Sequence, residues 1–299
     1  METGADNKAL VSPAVARQLL DSAGIRPSRS RGQNFLIDAN ILRVIMEAAR
    51  LSPSDTVVEV GAGVGALTQA LTESGCRVYA LESDQRLVRV LHRELGHADN
   101  LTLLHADAAR FDFSSLMQAG PPDVVKMVSN LPYRIAATLV VRCLQQYPWM
   151  TEYVVMVQSE VAQRLASGPG SKDYSAASVK IQVRADVSRV ARVSRNSFYP
   201  RPKVDSAVLR IKRRPAGALE IPDAGQFFDR VVSAAFGQRR KKLVNALSAS
   251  CGLGVAAAGW AEALHQLGKD TGLRAEDLSP GEFLELANTV GAKRLGDGT

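Results

Sequence analysis

The amino-acid sequence predicts an α/β protein: a mostly parallel sheet covered by helices, an antiparallel pair of strands at one edge, and a small all-helical domain after it. Three patterns lead to this prediction. Short β-rich runs alternate with helical stretches through the first half of the chain, two longer β-like runs follow with no helix between them, and the final part contains only helical patterns. Alternating strands and helices form βαβ units, whose strands pair in parallel.

The first predicted element is an amphipathic helix over 39–49, for which Asp38 is the expected N-cap. Five short strands and the helices between them follow. We predict the strands at 56–60, 77–81, 101–104, 124–128 and 153–157, and the helices at 67–72, 84–95 and 135–146.

The antiparallel pair is predicted over 185–193 and 206–212, joined by a segment that contains Pro200 and Pro202. The pattern breaks at 214–218, after which four helices are expected. They lie at 227–236, 240–250, 256–266 and 280–289. The predicted organisation is therefore an N-terminal arm at 1–36, the main α/β domain at 37–214 and a helical domain at 215–299.

Composition indicates a folded, soluble protein. Of 299 residues, 46% are hydrophobic and 22% are charged, which excludes a disordered chain. There is no apolar run long enough to cross a membrane and no signal-peptide pattern at the start, so we expect a soluble cytoplasmic protein. Nothing in the sequence suggests more than a monomer. The odd number of cysteines and the lack of closely spaced His or Cys pairs predict neither disulfides nor a metal site. The residues concerned are Cys76, Cys143, Cys251, His92, His97, His105 and His265.

Positive charge is concentrated in a few segments. Residues 184–214 contain ten Lys or Arg against two Asp, an excess of eight, whereas the net charge of the whole chain is +7. Focused positive charge is typical of surfaces that bind nucleic acid, although a solvated surface that aids solubility is the alternative. The candidate nucleic-acid contacts are Arg29, Arg31, Arg201, Lys203, Arg239, Arg240, Lys241 and Lys242.

A glycine-rich turn follows the first predicted strand. Gly61, Gly63 and Gly65 stand at every second position, directly before a helical pattern. Such glycines let the backbone turn tightly and approach a ligand closely. The spacing is neither that of a dinucleotide-binding fingerprint nor that of a P-loop, so a pyrophosphate ligand is disfavoured.

Acidic residues follow the next two predicted strands. Glu82 stands where a carboxylate usually accepts the hydroxyls of a ribose, and Asp107 is placed to accept from an adenine amino group. An adenosine without phosphates predicts S-adenosylmethionine as the cofactor. The alternative is an ordinary turn followed by two surface acids.

The fourth predicted strand ends in Asn130-Leu131-Pro132-Tyr133. This tetrad resembles the signature of methyltransferases that act on planar exocyclic amines. The Asn130 side-chain oxygen and the carbonyl of Leu131 or Pro132 would hold the two amine hydrogens, while Tyr133 would stack on a base. The alternative is a helix start, with Asn130 as cap and Pro132 in the first turn.

From about residue 26 to 288, the chain resembles the KsgA-type ribosomal RNA adenine N6,N6-dimethyltransferases. The resemblance implies a Rossmann-like class I methyltransferase sheet with a small C-terminal all-α domain. It extends into the helical tail, at residues 236–243 and 274–279. The other matching segments are Gly32-Gln33-Asn34-Phe35-Leu36, the loop from Glu59 to Gly65, Glu82-Ser83-Asp84, Asp107, the Asn130 tetrad and Phe198-Tyr199-Pro200-Arg201-Pro202-Lys203-Val204-Asp205-Ser206.

The family resemblance also implies a reaction: S-adenosylmethionine-dependent dimethylation of two adjacent adenosines near the 3′ end of 16S ribosomal RNA in the small subunit. Asn130, Leu131, Pro132 and Tyr133 would be catalytic, with Phe198 as a second aromatic on the opposite face of the target base. Two positions depart from the family pattern, Arg31 and Ala62, and neither removes a ligand. The implied cofactor-binding residues are Gln33, Asn34, Leu36, Gly61, Gly63, Gly65, Glu82, Asp107 and Asn130.

Three other functions remain open from the sequence. An Erm-type enzyme would methylate one adenosine of 23S ribosomal RNA, but the long basic helical tail argues against it. A DNA adenine methyltransferase would more often carry Pro-Pro where this chain has Leu131-Pro132. A ribosome-assembly or transcription factor without turnover is disfavoured by the complete donor motif.

Overall fold

The computed structural model describes residues 9–27, 33–117, 124–215 and 226–296, with side chains as far as residue 292. The predicted nucleic-acid contacts Arg29 and Arg31 lie outside the described residues. Two compact units are formed, and the domain limits expected at residues 37 and 215 stay predictions. One unit is drawn from Met1–Leu139, Tyr147–Ala162 and Ser188–Lys212, and the other from Val140–Gln146, Gln163–Val187 and Arg213–Thr299.

A seven-stranded sheet forms the centre of the α/β part and confirms the predicted fold class. Its order is β4-β3-β2-β5-β6-β9-β7, in which β2 to β6 pair in parallel and β9 runs antiparallel to β6. All five strands predicted in the alternating part are present, some longer by a few residues. The strands are β2 Thr56–Val60, β3 Arg77–Glu82, β4 Leu101–His105, β5 Val125–Asn130, β6 Met150–Gln158, β7 Ala185–Val193 and β9 Ser206–Arg213.

The strand order reverses between β2 and β5, and the two strands separate at their carboxyl ends. Their backbone pairing runs from Thr56 opposite Val125 to Val58 opposite Met127 and stops there. Beyond it, the Val60 N–H donates to Ser129 Oγ at 2.9 Å. In open α/β sheets, the crevice at such a reversal is where ligands bind.

Four helices lie at the predicted places, and two more, at 159–166 and 176–182, were not expected from the sequence. The Asp38 cap is confirmed, because its side chain accepts from the N–H groups of Asn40 and Ile41. The bounds are α2 Ala39–Ala49, α3 Ala66–Glu73, α4 Gln85–Leu95, α5 Ala136–Gln146, α6 Ser159–Ala166 and α7 Ala176–Gln182.

The helix α1, Pro13–Ser22, was not expected from the sequence. Its start has clear signals: Ser12 Oγ accepts from the Val15 N–H, and Pro13 occupies the first turn. One face, including Leu19 and Leu20, is buried in the main core. This helix is therefore an integral part of the first unit.

A separate two-stranded sheet was also missed. Strand β1, Phe35–Leu36, pairs antiparallel with β8, Phe198–Tyr199. Nearby, Ser197 Oγ donates to Asp38 Oδ2 at 2.8 Å. The two segments that the family resemblance places around donor and base are thus joined by backbone hydrogen bonds.

The second unit includes the helical tail, packed around fully buried Trp260 and Phe283. The helix predicted over 240–250 is shorter, because it begins at Leu243. Three consecutive cations, Arg240 to Lys242, precede it, and positive charge opposes the dipole at a helix N-terminus. No helix in the described ranges is both long and apolar enough to cross a bilayer. The tail helices are α8 Gln226–Gly237, α9 Leu243–Ser248, α10 Ala257–Gln266 and α11 Pro280–Gly296.

Candidate functional site

A cavity of about 690 Å³ opens where β2 and β5 separate. The structure brings most of the predicted site residues to its wall, although only Tyr133 of the two predicted aromatic residues lines it. Gly65 and Phe198 are not among the lining residues. The predicted residues that line the cavity are Gln33, Asn34, Leu36, Gly61, Gly63, Glu82, Asp107, Asn130, Leu131, Pro132 and Tyr133.

The three glycines of the turn have different neighbours, so an added Cβ would meet different atoms at each position. Gly63 has a φ of +62°, and a Cβ there would lie 2.9 Å from the ring of Phe35. A Cβ on Gly61 would lie 3.2 Å from Pro132, so this turn and the Asn130 tetrad approach each other closely. Gly65 is the N-cap of α3 and has a φ of +93°, and a Cβ there would press on Leu91 at 3.0 Å. It serves the turn and its packing and does not line the cavity.

Glu82 is a buried carboxylate fixed by the backbone. Its Oε1 accepts from the N–H groups of Ser83 and Asp84 at 2.8 and 2.9 Å, and its Oε2 accepts from the Gly63 N–H at 3.0 Å. An ionised carboxylate has about four lone-pair positions. Because Oε2 accepts only the Gly63 N–H among the described contacts, Glu82 can hold the glycine turn in place and still accept a hydroxyl group from a ligand.

Asp107 is the second acid at the cavity. It is exposed, and its Oδ1 accepts from the Ala109 N–H at 2.9 Å. The other side-chain oxygen is thus presented without a described partner. No group of three or more His, Cys, Asp or Glu suited to a cation occurs in the described ranges.

Glu59 is a cavity residue whose importance the sequence analysis missed. Burial raises its pKa from 4.5 to about 8; the Thr68 hydroxyl opposes this shift, and the nearby charge of Glu82 adds to it. Glu59 Oε2 is buried and makes no hydrogen bond within the described residues. This raised pKa favours the protonated carboxyl at neutral pH. The available signal was an acidic residue inside an otherwise apolar strand.

The Asn130 side chain has a defined orientation. Its Nδ2 donates to the carbonyl oxygen of Asn34 at 3.1 Å, which leaves Oδ1 to accept a hydrogen bond from a ligand. The Pro132 carbonyl already accepts from the Ile135 N–H at 3.1 Å. Among described contacts the Leu131 carbonyl makes no hydrogen bond, so it is the available backbone acceptor.

Tyr133 and Phe198 differ in exposure. Tyr133 is partly buried, its hydroxyl lies 2.9 Å from Ser206 Oγ, and burial raises its pKa. Phe198 is only 2% exposed and packs in the main core. Its stacking on a base stays a prediction.

The predicted nucleic-acid contacts also differ among themselves. Arg201 and Lys203 are exposed, as are Arg240, Lys241 and Lys242 in the second unit. Arg239 instead makes an ion pair with Glu276 at 3.0 Å and donates to the Lys172 carbonyl at 3.2 Å. Arg239 thus connects parts of its own unit, whereas the three cations after it face solvent.

Comparisons with known proteins agree with this geometry. A family profile for ribosomal RNA adenine dimethylase matches residues 26–290. The ribosomal RNA small subunit methyltransferase A of Pelotomaculum thermopropionicum is 42% identical over 287 residues, which are 94% of this chain and 97% of that protein.

Two solved structures are similar over 86% of this chain. A dimethyladenosine transferase from Plasmodium falciparum has a TM-score of 0.72 and 25% identity, with 98% of its chain covered. The 23S rRNA methyltransferase ErmE has a TM-score of 0.64 and 26% identity, with its whole chain covered. From the cavity, its oriented amide and a profile match over most of the sequence, we conclude that the chain belongs to the ribosomal RNA adenine dimethylase family.

Proposed function

We propose that this protein uses S-adenosylmethionine to dimethylate N6 of two adjacent adenosines near the 3′ end of 16S ribosomal RNA, and so contributes to small-subunit biogenesis. The observation that carries the proposal is the orientation of the Asn130 amide. Its nitrogen donates a hydrogen bond to the Asn34 carbonyl, so its oxygen can accept a hydrogen bond from an amine. The names of the relatives support ribosomal RNA as the substrate.

The residues of the cavity suit an adenosine-containing methyl donor. The wall formed by Gly61 and Gly63 has no side chains, so a ligand can approach the backbone there. Glu82 and Asp107 offer carboxylate oxygens to hydroxyl and amino groups. When bound, S-adenosylmethionine supplies a methyl group activated by a positively charged sulfur.

The chain then has to present a weakly nucleophilic amine in the right geometry. Asn130 Oδ1 and the Leu131 carbonyl are two acceptors for the two hydrogens of an adenine amine. Holding both hydrogens directs the nitrogen lone pair out of the ring plane, and Tyr133 stacks on the base that is taken out of its helix. Positioning of this kind lowers the barrier without a strong base.

We assign contact with the RNA backbone to the exposed cations Arg201 and Lys203 and to Arg240, Lys241 and Lys242. The small ribosomal subunit is the partner, and the helical domain at 215–299 is the part that docks on it. We further propose that the protein acts as a monomer in the cytoplasm and that the reaction needs no metal.

The test is Asn130→Ala, assayed with undermodified small subunits and with large subunits, followed by mass-spectrometric mapping of the methylated nucleotides. We expect at least a hundredfold lower rate with donor affinity largely intact in calorimetry, since loss of a positioning contact costs rate. Asn40→Ala, which removes an exposed amide, is the control and should keep full activity.

Three results would contradict the proposal. They are full activity of Asn130→Ala, methylation of large subunits instead of small ones, and no methyl transfer by the wild-type protein. The second would indicate an Erm-type enzyme, and the third a binding factor without turnover.

A further inference from the structure

Ser206 is a fully buried serine whose hydroxyl reaches a residue of the cavity. Its Oγ lies 2.9 Å from the hydroxyl of Tyr133, the aromatic side chain that lines the cavity. Burial raises the pKa of Tyr133, so the phenol stays protonated at neutral pH and can donate this hydrogen bond.

We infer that Ser206 is a positioning residue for methyl transfer: its hydroxyl holds the Tyr133 ring in the plane that stacks on the target base. This inference rests on the proposed function, because it assumes that Tyr133 receives a base. It adds a residue that makes no contact with either substrate and acts only through the orientation of the ring.

The backbone around Ser206 is rigid enough to serve as an anchor. Ser206 begins β9 and lies opposite Gln158 of β6 in the ladder. One residue earlier, the Asp205 carbonyl accepts from the Ser159 N–H at 3.0 Å, and Asp205 Oδ1 accepts from the Arg195 N–H at 3.0 Å. The hydroxyl is thus attached to a strand that is fixed on both sides of the attachment point.

Tyr133, by contrast, lies in the turn between β5 and α5. A short turn leaves the direction of an aromatic side chain less constrained than a strand or helix does, and rotation about χ1 would move the ring edge by several ångströms. Stacking requires a fixed ring face, so a bond at the far end of the side chain is effective. The hydrogen bond to Ser206 supplies that restraint.

The connection that precedes Ser206 contains Phe198, the second predicted aromatic residue. Arg195 and Asp205 meet at the two ends of the connection that contains Phe198, and Arg195 Nη1 also donates to the Lys203 carbonyl at 3.4 Å. Ser206 follows directly after this closed loop. It therefore links the ring of Tyr133 to the segment on which the other aromatic stands.

The test combines Ser206→Ala, Tyr133→Phe and the double variant. Single-turnover methyl transfer to undermodified small subunits is measured for each transfer, and donor binding is measured by calorimetry. Each single variant should slow transfer by about tenfold, as expected for one lost hydrogen bond that orients a reacting group. The double variant should be no slower than either single one, and donor affinity should stay within about twofold of wild type.

Ser178→Ala is the matched control. Ser178 is equally buried, and its hydroxyl donates to the Arg164 carbonyl, but it does not line the cavity. Its loss should lower thermal stability without changing the transfer rate. A rate effect limited to Ser206 then distinguishes positioning from general destabilisation.

The inference is overturned if Ser206→Ala transfers methyl groups at the wild-type rate, or if the two effects multiply in the double variant. Should Ser206→Ala fail to fold, Tyr133→Phe alone decides, because a wild-type rate for that variant leaves the hydrogen bond without a role. If the wild-type enzyme is active and these substitutions leave its transfer rate unchanged, only this inference is contradicted. A wild-type protein without methyl transfer removes the proposed function as well.

Discussion

Because Glu59 is buried, we predict that the stability of the protein falls as pH rises through the neutral range. In the folded protein, burial raises the pKa of this carboxyl from 4.5 to about 8. The folded state therefore keeps a proton that the unfolded chain releases at a lower pH. Because the unfolded state binds fewer protons between these two values, the free energy of unfolding falls as pH rises from about 4.5 to 8.

The size of this effect follows from the interval of some 3.5 pH units between the two values. At about 1.36 kcal/mol per unit, the wild-type protein loses up to about 5 kcal/mol of stability from this one group. This is an upper bound, because relaxation and water entry reduce the desolvation of a buried carboxyl. Glu59→Gln keeps the shape and removes the titration, so its stability should not carry this slope.

Urea unfolding at several pH values between 5 and 8 measures the difference. We expect the stability of Glu59→Gln relative to wild type to increase steadily across this range. Glu47→Gln is the control, since Glu47 is an exposed partner of Arg43 and should leave the wild-type slope unchanged. Parallel profiles for wild type and Glu59→Gln would refute the assignment of a neutral buried carboxyl.

Two further predictions concern ligands. Glu82→Gln should weaken binding of the methyl donor by about 1–3 kcal/mol in calorimetry, because a charged acceptor of hydroxyl groups is lost; equal affinities would remove Glu82 from the donor site. Reversing the charge of Arg240 and Lys241 should weaken binding to undermodified small subunits and flatten its salt dependence. Reversal at Arg239 should instead lower the melting temperature, because its ion pair with Glu276 is lost; the same flattening without destabilisation would contradict this distinction.

The regular elements were largely predictable because their signals are local. The helix at 39–49 has a capping aspartate and one apolar face, and the strand at 56–60 is rich in valine and buried throughout. The two-residue strands at Phe35–Leu36 and Phe198–Tyr199 were not predictable, since they are too short for any periodicity and pair across more than 160 residues. The spacing of apolar residues likewise predicts that a helix begins at Arg240, whereas in the structure it begins at Leu243.

The candidate site likewise has features that could be predicted from the sequence and features that could not. The carboxyl ends of neighbouring strands lie at one edge of a parallel sheet, so Glu82 and Asn130 could be assigned to one cleft from their positions in the sequence. The hydrogen bonds of the site could not be predicted from the sequence. The Asn34 carbonyl lies 96 residues from its partner Asn130, and the Ser206 hydroxyl lies 73 residues from its partner Tyr133. The altered pKa of Glu59 also depends on three-dimensional burial.

The pairing of β1 with β8 has a consequence for kinetic experiments. Asn34, whose carbonyl accepts from the Asn130 amide, directly precedes one of these strands, and Phe198 belongs to the other. Neither segment can be displaced without disturbing the hydrogen bonds of the other. We therefore expect a substitution that displaces β1 to change the kinetic constants for the methyl donor and for the RNA together.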